Sequence, residues 1–455
     1  MVEDAIRLAR SGRARAEAGL MELLRIPSVS ALPEHRPDVR RAAGWVAGFL
    51  REAGMEVEVP AATGAPVVHA QWMGRPGAPV LGLYGHYDVQ PPDPLAEWRS
   101  APFEPEVRDG CVYARGATDD KGQLLAGLEA ARCALAAGGP PVNLRFLIEG
   151  EEETSSVALP DFLEKNVERL RTDHLFIADG HFIAPGLPDI ATALRGLLYL
   201  ELDVAGAAQD LHSGVYGGVA PNPFNSLCHI ISGLKGRDGR VTIPGFYDRV
   251  RPPAVEEIES WKRLALGEGE YLALTGARAL EGEEGYAPVE RTSWRPTLDV
   301  HGIIGGFTGE GQKTVIPARA TAKVSLRLVP EQEPARVLES LRQHVAALAT
   351  PGVSVSVRVL HQAPPVLLGS DHPGVRAASR AFEAAFGAEP ALVREGGSIP
   401  VVADIQRLLG PHVVATGFGL PDDGLHSPNE HFSLEHFHRG TEMVLRLMDE
   451  LKSAG

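Results

Sequence analysis

Gly85-His86-Tyr87-Asp88 follows directly on the apolar run Val80-Leu81-Gly82-Leu83-Tyr84. The run reads as a buried strand, and residues two apart along a strand point to the same face. His86 and Asp88 therefore leave the strand end side by side. An imidazole with a carboxylate behind it suits a metal ligand, although a lone His-x-Asp also arises by chance. Other segments supply matching groups. Glu149, Glu151, Glu152 and Glu153 follow the apolar run 142–148, and Asp179 follows 175–178. Asp119 and Asp120 lie just before a Leu- and Ala-rich helix at 123–137, and His426 sits in Gly-Leu-His-Ser-Pro-Asn-Glu after the run 413–416. Ligands of open α/β sheets bind beyond the carboxyl ends of the strands. Five segments are thus placed to deliver His or carboxylate to one crevice.

Two imidazoles, several carboxylates and no Cys suit Zn, Mn or Co better than an all-oxygen Ca or Mg site. Each oxygen of Asp119 can serve one ion, so this residue can bridge two. Two ions roughly 3.5 Å apart polarise a carbonyl and lower the pKa of a bridging water. Glu152 and Glu153 cannot both play one part, but one can bind metal while its neighbour holds that water within hydrogen-bond reach. Taken singly, a Glu-Glu pair also reads as a solvated turn, and Asp119-Asp120 as a helix cap. Their joint placement after apolar strands favours the metal reading.

The elements that must position these groups alternate along the chain. Apolar spacing predicts helices over 3–27 and 37–54, strands over 67–72 and 80–84, the helix 123–137, a strand over 142–148, a helix over 159–170 and a short buried strand over 175–178. Buried strands separated by helices imply an α/β domain with a largely parallel sheet. The middle of the chain changes character. Residues 196–204, 320–329 and 353–360 read as strands, the first two alternating like half-exposed antiparallel ones, with helices over 224–234 and 334–348. Two helices on one face of a small antiparallel sheet is the economical arrangement. Residues 250–295, rich in Glu, Gly and Arg, read as a surface excursion. From His372 the α/β pattern resumes, with helices over 375–386, 399–409 and 434–451 around the strand 413–416. The predicted organisation is a discontinuous α/β domain, 1–192 and 364–455, interrupted by an α+β domain over 193–363.

The bulk properties bound the function. The chain of 455 residues is 44% hydrophobic and 23% charged, as in a soluble globular protein of two domains. Its formal net charge of −15 argues against nucleic acid as a partner. Three scattered cysteines, Cys111, Cys133 and Cys228, form neither a zinc ribbon nor a disulfide framework, which predicts a reducing cytoplasm. The start Met-Val-Glu-Asp-Ala-Ile-Arg lacks an apolar signal core, and no run approaches a membrane span.

These residues together resemble the M20 family of metallopeptidases, in its dipeptidase branch related to cytosolic nonspecific dipeptidase and carnosinase. The resemblance is carried by Gly85-His86-Tyr87-Asp88-Val89-Gln90-Pro91, Arg115-Gly116-Ala117-Thr118-Asp119-Asp120-Lys121-Gly122 and Glu149-Gly150-Glu151-Glu152-Glu153. Asp210-Leu211-His212-Ser213-Gly214-Val215-Tyr216-Gly217-Gly218 and Lys313-Thr314-Val315-Ile316-Pro317 extend it into the inserted part. It implies a zinc-peptidase-like catalytic domain carrying a lid that dimerises. It also implies two divalent ions per subunit, Zn first and Mn or Co as alternatives, bridged by Asp119. One ion would also hold His86 and Asp179, the other Glu153 and His426. Asp88 would orient His86, and Glu152 would be the general base. A cis peptide is implied at Asp119–Asp120. His212 matches a lid histidine that reaches a partner subunit's active site and stabilises the tetrahedral oxyanion. Arg327, and Ser398 with Gly397 before it, match residues that receive the substrate's carboxylate. Glu395 and His301 lie in matched segments without an assigned role. Three consecutive carboxylates leave a second register open, with Glu151 as base and Glu152 as ligand.

The resemblance implies a dipeptidase or carboxypeptidase that cleaves dipeptides or short peptides with a free C-terminal carboxylate, through a hydroxide bridging the ions. The runner-up is a deacylase of N-acyl amino acids using the same site. A noncatalytic metal-stabilised protein is the reading from another class. Glu152, beside the ligand cluster with no structural duty evident in the sequence, speaks against it.

Overall fold

A computed structural model describes residues 2–60, 64–154, 156–264, 266–396 and 400–452. The chain forms two compact units, Met1–Thr192 with Leu368–Val393 and Ile399–Gly455, and Ala193–Leu367 with Arg394–Ser398.

The first unit is built on a mixed sheet. Its strands run in the order Glu56–Glu58, Val68–Trp72, Asn143–Glu149, Val80–His86, His174–His181, His412–Gly419 and Asp189–Leu194. The four central strands are parallel. The marginal pairings are antiparallel. Parallel strands need crossovers and are covered on both faces, which is why these read as continuous apolar runs; every residue of Asn143–Glu149 is buried. Helix Lys121–Ala136 packs on this sheet and is buried almost all round, with Leu434–Leu451 against it and Pro373–Phe386 against that helix. A Cβ at Gly122 would collide with the Ala117 carbonyl oxygen and the Phe432 ring. Glycine there lets the loop bearing Asp119 fold back tightly on its helix. The helix expected over 3–27 is two, Val2–Ser11 and Arg13–Leu24, separated at Gly12.

His69 makes this unit acid-sensitive. It is 2% exposed in the Val68–Trp72 strand, with Nδ1 2.8 Å from Glu58 Oε1 on the neighbouring strand. Burial drives its pKa down to about 4, against the attraction of Glu58. The folded protein thus holds it neutral, while the unfolded chain takes up a proton from about pH 6.5 downward. Stability relative to His69→Gln is expected to be flat above pH 7. It should fall towards acid by up to about 1.4 kcal/mol per pH unit until pH 4. Urea unfolding of both proteins over pH 4.5–8 tests this, and a pH-independent difference between them refutes it.

In the second unit, four antiparallel strands run in the order Thr297–Gly305, Arg319–Leu328, Gly196–Ala205 and Ser354–Ala363. Alternation puts Leu198, Leu200, Leu202 and Val204 on one face with Ala322, Val324 and Leu326. That face is covered by Leu227, Ile230 and Leu234 from helix Pro223–Leu234 and by Val337, Leu341 and Val345 from helix Pro334–Leu348. The unit runs to Leu367, and Val366–Leu367 pairs with Ala193–Leu194.

The segment 250–295 is more than a surface excursion. It forms helices Val255–Arg263, Glu268–Thr275 and Pro288–Ser293, and buries Trp261, Leu264 and Trp294. Its charges mislead because the key ones are paired inside. Arg295 donates to both oxygens of Glu283 at 2.7 and 2.8 Å and stacks on Tyr286. Glu257 accepts two hydrogen bonds from Arg394 at 2.8 and 2.9 Å. A buried ion pair held bidentately satisfies groups that composition alone reads as solvated.

Candidate metal centre

The strand ends converge within the first unit. His86 closes the Val80–His86 strand with its side chain fully buried, and its Nε2 lies 3.2 Å from Asp119 Oδ1 and 3.4 Å from Asp179 Oδ1. The other oxygen of Asp119 is 2.8 Å from His426 Nε2, which is 3.5 Å from Glu153 Oε2. Two donor groups result, His86–Asp119–Asp179 and Asp119–Glu153–His426, each with its ligand atoms within 4.8 Å of one another. Asp119 belongs to both and turns one oxygen to each. His426 reaches its place from a backbone in the left-handed region, at φ 59°. Such positions cluster where function requires them. The peptide Asp119–Asp120 is cis.

The surroundings fit divalent cations. His86 Nε2 and Glu153 Oε1 are buried and find no hydrogen-bond partner among the described residues. Hydrogen bonds to Asp119 and Glu153 lift His426 to about 10, a measure of how strongly the carboxylates draw positive charge. Asp179 is raised to about 6 by burial, against the pull of His86. A bound cation would offset this concentration of buried carboxylates. Imidazole nitrogen with carboxylate oxygen is a donor set for Zn, Mn or Co.

Asp88 contacts more than His86. His86 Nδ1 is 3.1 Å from the Asp88 carbonyl and 3.3 Å from its Oδ1. The same carboxylate accepts the backbone N–H groups of Glu152 and Glu153, each at 3.2 Å. One buried side chain therefore touches both an imidazole and the Glu152–Thr154 turn. Glu151 faces elsewhere, its Oε2 accepting the N–H of Ala158 at the start of helix Ala158–Lys165. Burial raises Glu152 well above the usual carboxylate pKa, with Asp179, Glu153 and Glu149 adding to the shift and His86 opposing it.

Sequence reasoning passed over Glu430. Its fully buried carboxylate accepts from Gly116, Thr118 and Asp119 N–H at 3.0, 3.0 and 3.1 Å and from Arg115 Nη1 at 2.6 Å. It ties the Asp119 loop to the His426 loop. Its position four residues after His426 was the available signal. Asp120 Oδ2 likewise accepts the His86 N–H at 3.1 Å. Glu149 accepts the hydroxyls of Tyr84 and Ser156 at 2.7 and 2.8 Å.

The remaining predicted residues lie in the second unit or outside the described residues. His212 is exposed on the short strand Leu211–His212, where its Nδ1 accepts the Gly214 N–H at 3.0 Å. That bond leaves the proton on Nε2, which can donate outward. Arg327 is half-buried on the Arg319–Leu328 strand, and burial lowers its pKa. His301 Nε2 is 2.7 Å from Ser325 Oγ, with its ring stacked on Tyr199. Gly397 and Ser398 lie outside the described residues.

The model for peptidase family M20/M25/M40 matches residues 82–450. Beta-Ala-His dipeptidase of Homo sapiens is 32% identical over 437 residues, covering 94% of this chain and 85% of that protein. Cys-Gly metallodipeptidase dug1 of Schizosaccharomyces pombe is 32% identical over 460 residues, covering 95% of each. Among solved structures, the M20 family metallo-carboxypeptidase Sso-CP2 from Sulfolobus solfataricus superposes with a TM-score of 0.86 at 33% identity, covering 96% of this chain and 99% of that one.

Proposed function

The chain belongs to peptidase family M20/M25/M40, and from that premise we propose that it is a dinuclear metal-dependent dipeptidase. The observation that carries this reading is the pair of donor groups sharing Asp119, with Glu152 held beside them by Asp88. His86 and Asp179 would hold one divalent ion, Glu153 and His426 the other, and Asp119 both. Such ions, when bound, polarise the scissile carbonyl and make a water acidic enough to attack near neutral pH.

The chain's own groups supply the rest. Glu152 takes the proton from the attacking water and passes it to the amine as the C–N bond breaks. Glu151 is committed to the Ala158 N–H, which favours Glu152 as base and Glu153 as ligand over the shifted register. His212 Nε2–H donates to the oxyanion of the tetrahedral intermediate. Arg327 offers the guanidinium fork to the C-terminal carboxylate, with Gly397 and Ser398 completing that end. His426 is 56% exposed and His86 fully buried, so substrate enters on the Glu153–His426 side.

A substrate panel tests the reading on metal-loaded protein. Dipeptides with a free C-terminus should be hydrolysed, and their C-terminal amides roughly 30-fold more slowly or worse, since about 2 kcal/mol or more of charge pairing is lost. N-acetyl and N-succinyl amino acids should be poor substrates, because the relatives named above are peptidases. Faster turnover of the N-acyl compounds would establish the deacylase instead. A folded, metal-loaded protein inert to the whole panel would favour the noncatalytic reading.

A homodimer through the second unit completes the proposal. Its support is the Thr297–Gly305 strand, which among the described residues pairs on one side only and leaves Ile303 43% and Ile304 71% exposed. An apolar edge strand of this length invites a second copy, and a sedimentation mass of one chain overturns it. Three free cysteines fit a reducing, cytoplasmic location, which fractionation with organelle markers tests. No helix among the described residues is long and apolar enough to cross a membrane.

A further inference from the structure

Every second residue from His86 to Gln90 touches the candidate metal centre. His86 Nε2 faces Asp119 and Asp179, and the Asp88 carboxylate takes the backbone N–H groups of Glu152 and Glu153. The third, Gln90, donates its side-chain amide Nε2 to Glu153 Oε2 at 2.7 Å. Tyr87 and Val89 between them are fully buried. This alternation is that of an extended chain. Val89 fixes its course, bridging in parallel to Val29 with its N–H 3.0 Å from the Ser28 carbonyl oxygen. One residue past Gln90, the Pro91 carbonyl accepts from Arg115 Nη2 at 3.3 Å, and Arg115 is bound to Glu430. The half-buried Gln90 therefore leaves a backbone anchored on both sides.

Little else holds the Glu153 carboxylate. Its Oε1 is buried and finds no hydrogen-bond partner among the described residues, and its Oε2 lies 3.5 Å from His426 Nε2. The bond from Gln90 is the shorter of the two contacts at Oε2. An amide N–H is a neutral donor. It fixes a carboxylate without cancelling the charge that attracts a cation, as Lys or Arg would. It also occupies one lone pair of Oε2 and leaves Oε1 untouched, so the group keeps its capacity to ligate. A neighbour that holds a ligand in this way strengthens metal binding by orienting it. Gln90 has no hydrogen bond to His86, Asp119 or Asp179 among the described residues.

We propose that Gln90 is a positioning residue for the divalent ion of the Asp119–Glu153–His426 group, and for that ion alone; this rests on the dinuclear reading above. Its amide sets the Glu153 carboxylate in place before the ion arrives. The two ions are thereby made unequal. The His86–Asp119–Asp179 ion is held independently of Gln90, whereas the ion on the more exposed His426 side depends on it.

Zn2+ titration of the chelator-stripped full chain tests this on Gln90→Met, which keeps the length of the side chain and loses the donor. The wild type should bind two Zn2+ per chain. In Gln90→Met one ion should bind about 10–100-fold more weakly, the range for groups that hold a metal ligand, while the other keeps its affinity. Asp179→Ala should weaken the opposite ion, which identifies the one that Gln90 serves. Once Glu153→Ala has removed the ligand, adding Gln90→Met should change Zn2+ affinity by less than about twofold, because nothing is left to orient. A merely structural role would instead lower the melting temperature of the metal-free protein and weaken both ions. That result overturns the proposal, as do equal affinities in Gln90→Met and wild type. Tighter binding in the variant overturns it too, since the amide would then compete with the ion for Glu153. A wild type that takes up fewer than two ions overturns the dinuclear reading, and this one with it, before any variant is compared. Should Gln90→Met fail to fold, Gln90→Ala replaces it with the same expected pattern.

Discussion

Glu152→Gln is expected to retain the wild-type metal content and lose two to four orders of magnitude in kcat, the range a positioned general base contributes (about 10²–10⁴-fold). The retained metal follows from geometry: Glu152 belongs to neither donor group, and its backbone N–H, which the substitution leaves in place, is what Asp88 binds. The lost turnover follows from its setting. Among the three consecutive carboxylates, Glu151 caps a helix and Glu153 faces His426, which leaves Glu152 to move the proton. KM for a dipeptide should change little, since the residue is proposed to act on the water and the leaving amine. Metal analysis together with kcat and KM checks the whole pattern. Near-normal turnover in a metal-replete variant would remove Glu152 as base, and lost metal with lost turnover would move it among the ligands.

Asp119→Ala is expected to empty both sites at once. Each oxygen of Asp119 faces a different imidazole, so removing the carboxylate withdraws a ligand and half a charge from both donor groups. Replacing groups that only support metal ligands typically costs 10–100-fold in affinity, and a shared ligand should exceed about 100-fold for each ion. Asp179→Asn is the contrast, because Asp179 belongs to one group only and should weaken one ion while sparing the other. Equilibrium dialysis at graded free Zn2+ separates the outcomes. Loss of a single ion in Asp119→Ala would mean that the carboxylate does not bridge. Folding should survive, since the Asp119 loop is held by Glu430 through backbone N–H groups that the substitution leaves in place.

The parts of the fold visible in the sequence are those where one force dominates. The central parallel strands are buried on both faces and announce themselves as apolar runs, so the polar residue ending each one stands out. That is how His86, Asp179 and the carboxylates after residue 148 stood out as candidates, whereas the family resemblance implied the set His86, Asp119, Glu153, Asp179 and His426, which the structure brings together. The marginal strands were harder to see. Asp189–Leu194 and Thr297–Gly305 pair antiparallel, and their patterns are weakened by exposure or by a change of unit along the strand. The segment 250–295 misled because charge density reads as solvation, whereas Arg295–Glu283 and Glu257–Arg394 are buried pairs.

What the sequence determined by itself was which residue types end which strands, and so the chemistry open to them: imidazole and carboxylate, without thiol, at the carboxyl edge of an α/β sheet. Only the tertiary structure decided how the carboxylates divide their work. A carboxylate carries the same charge whether it binds metal, caps a helix or gathers backbone N–H groups, and its partners are chosen in space. Asp88 meets the Glu152–Glu153 turn 64 residues along the chain, and Glu430 meets the Asp119 loop 311 residues back. No local pattern encodes contacts at that separation, because they form only when the crossovers of the parallel sheet bring distant strand ends to one edge.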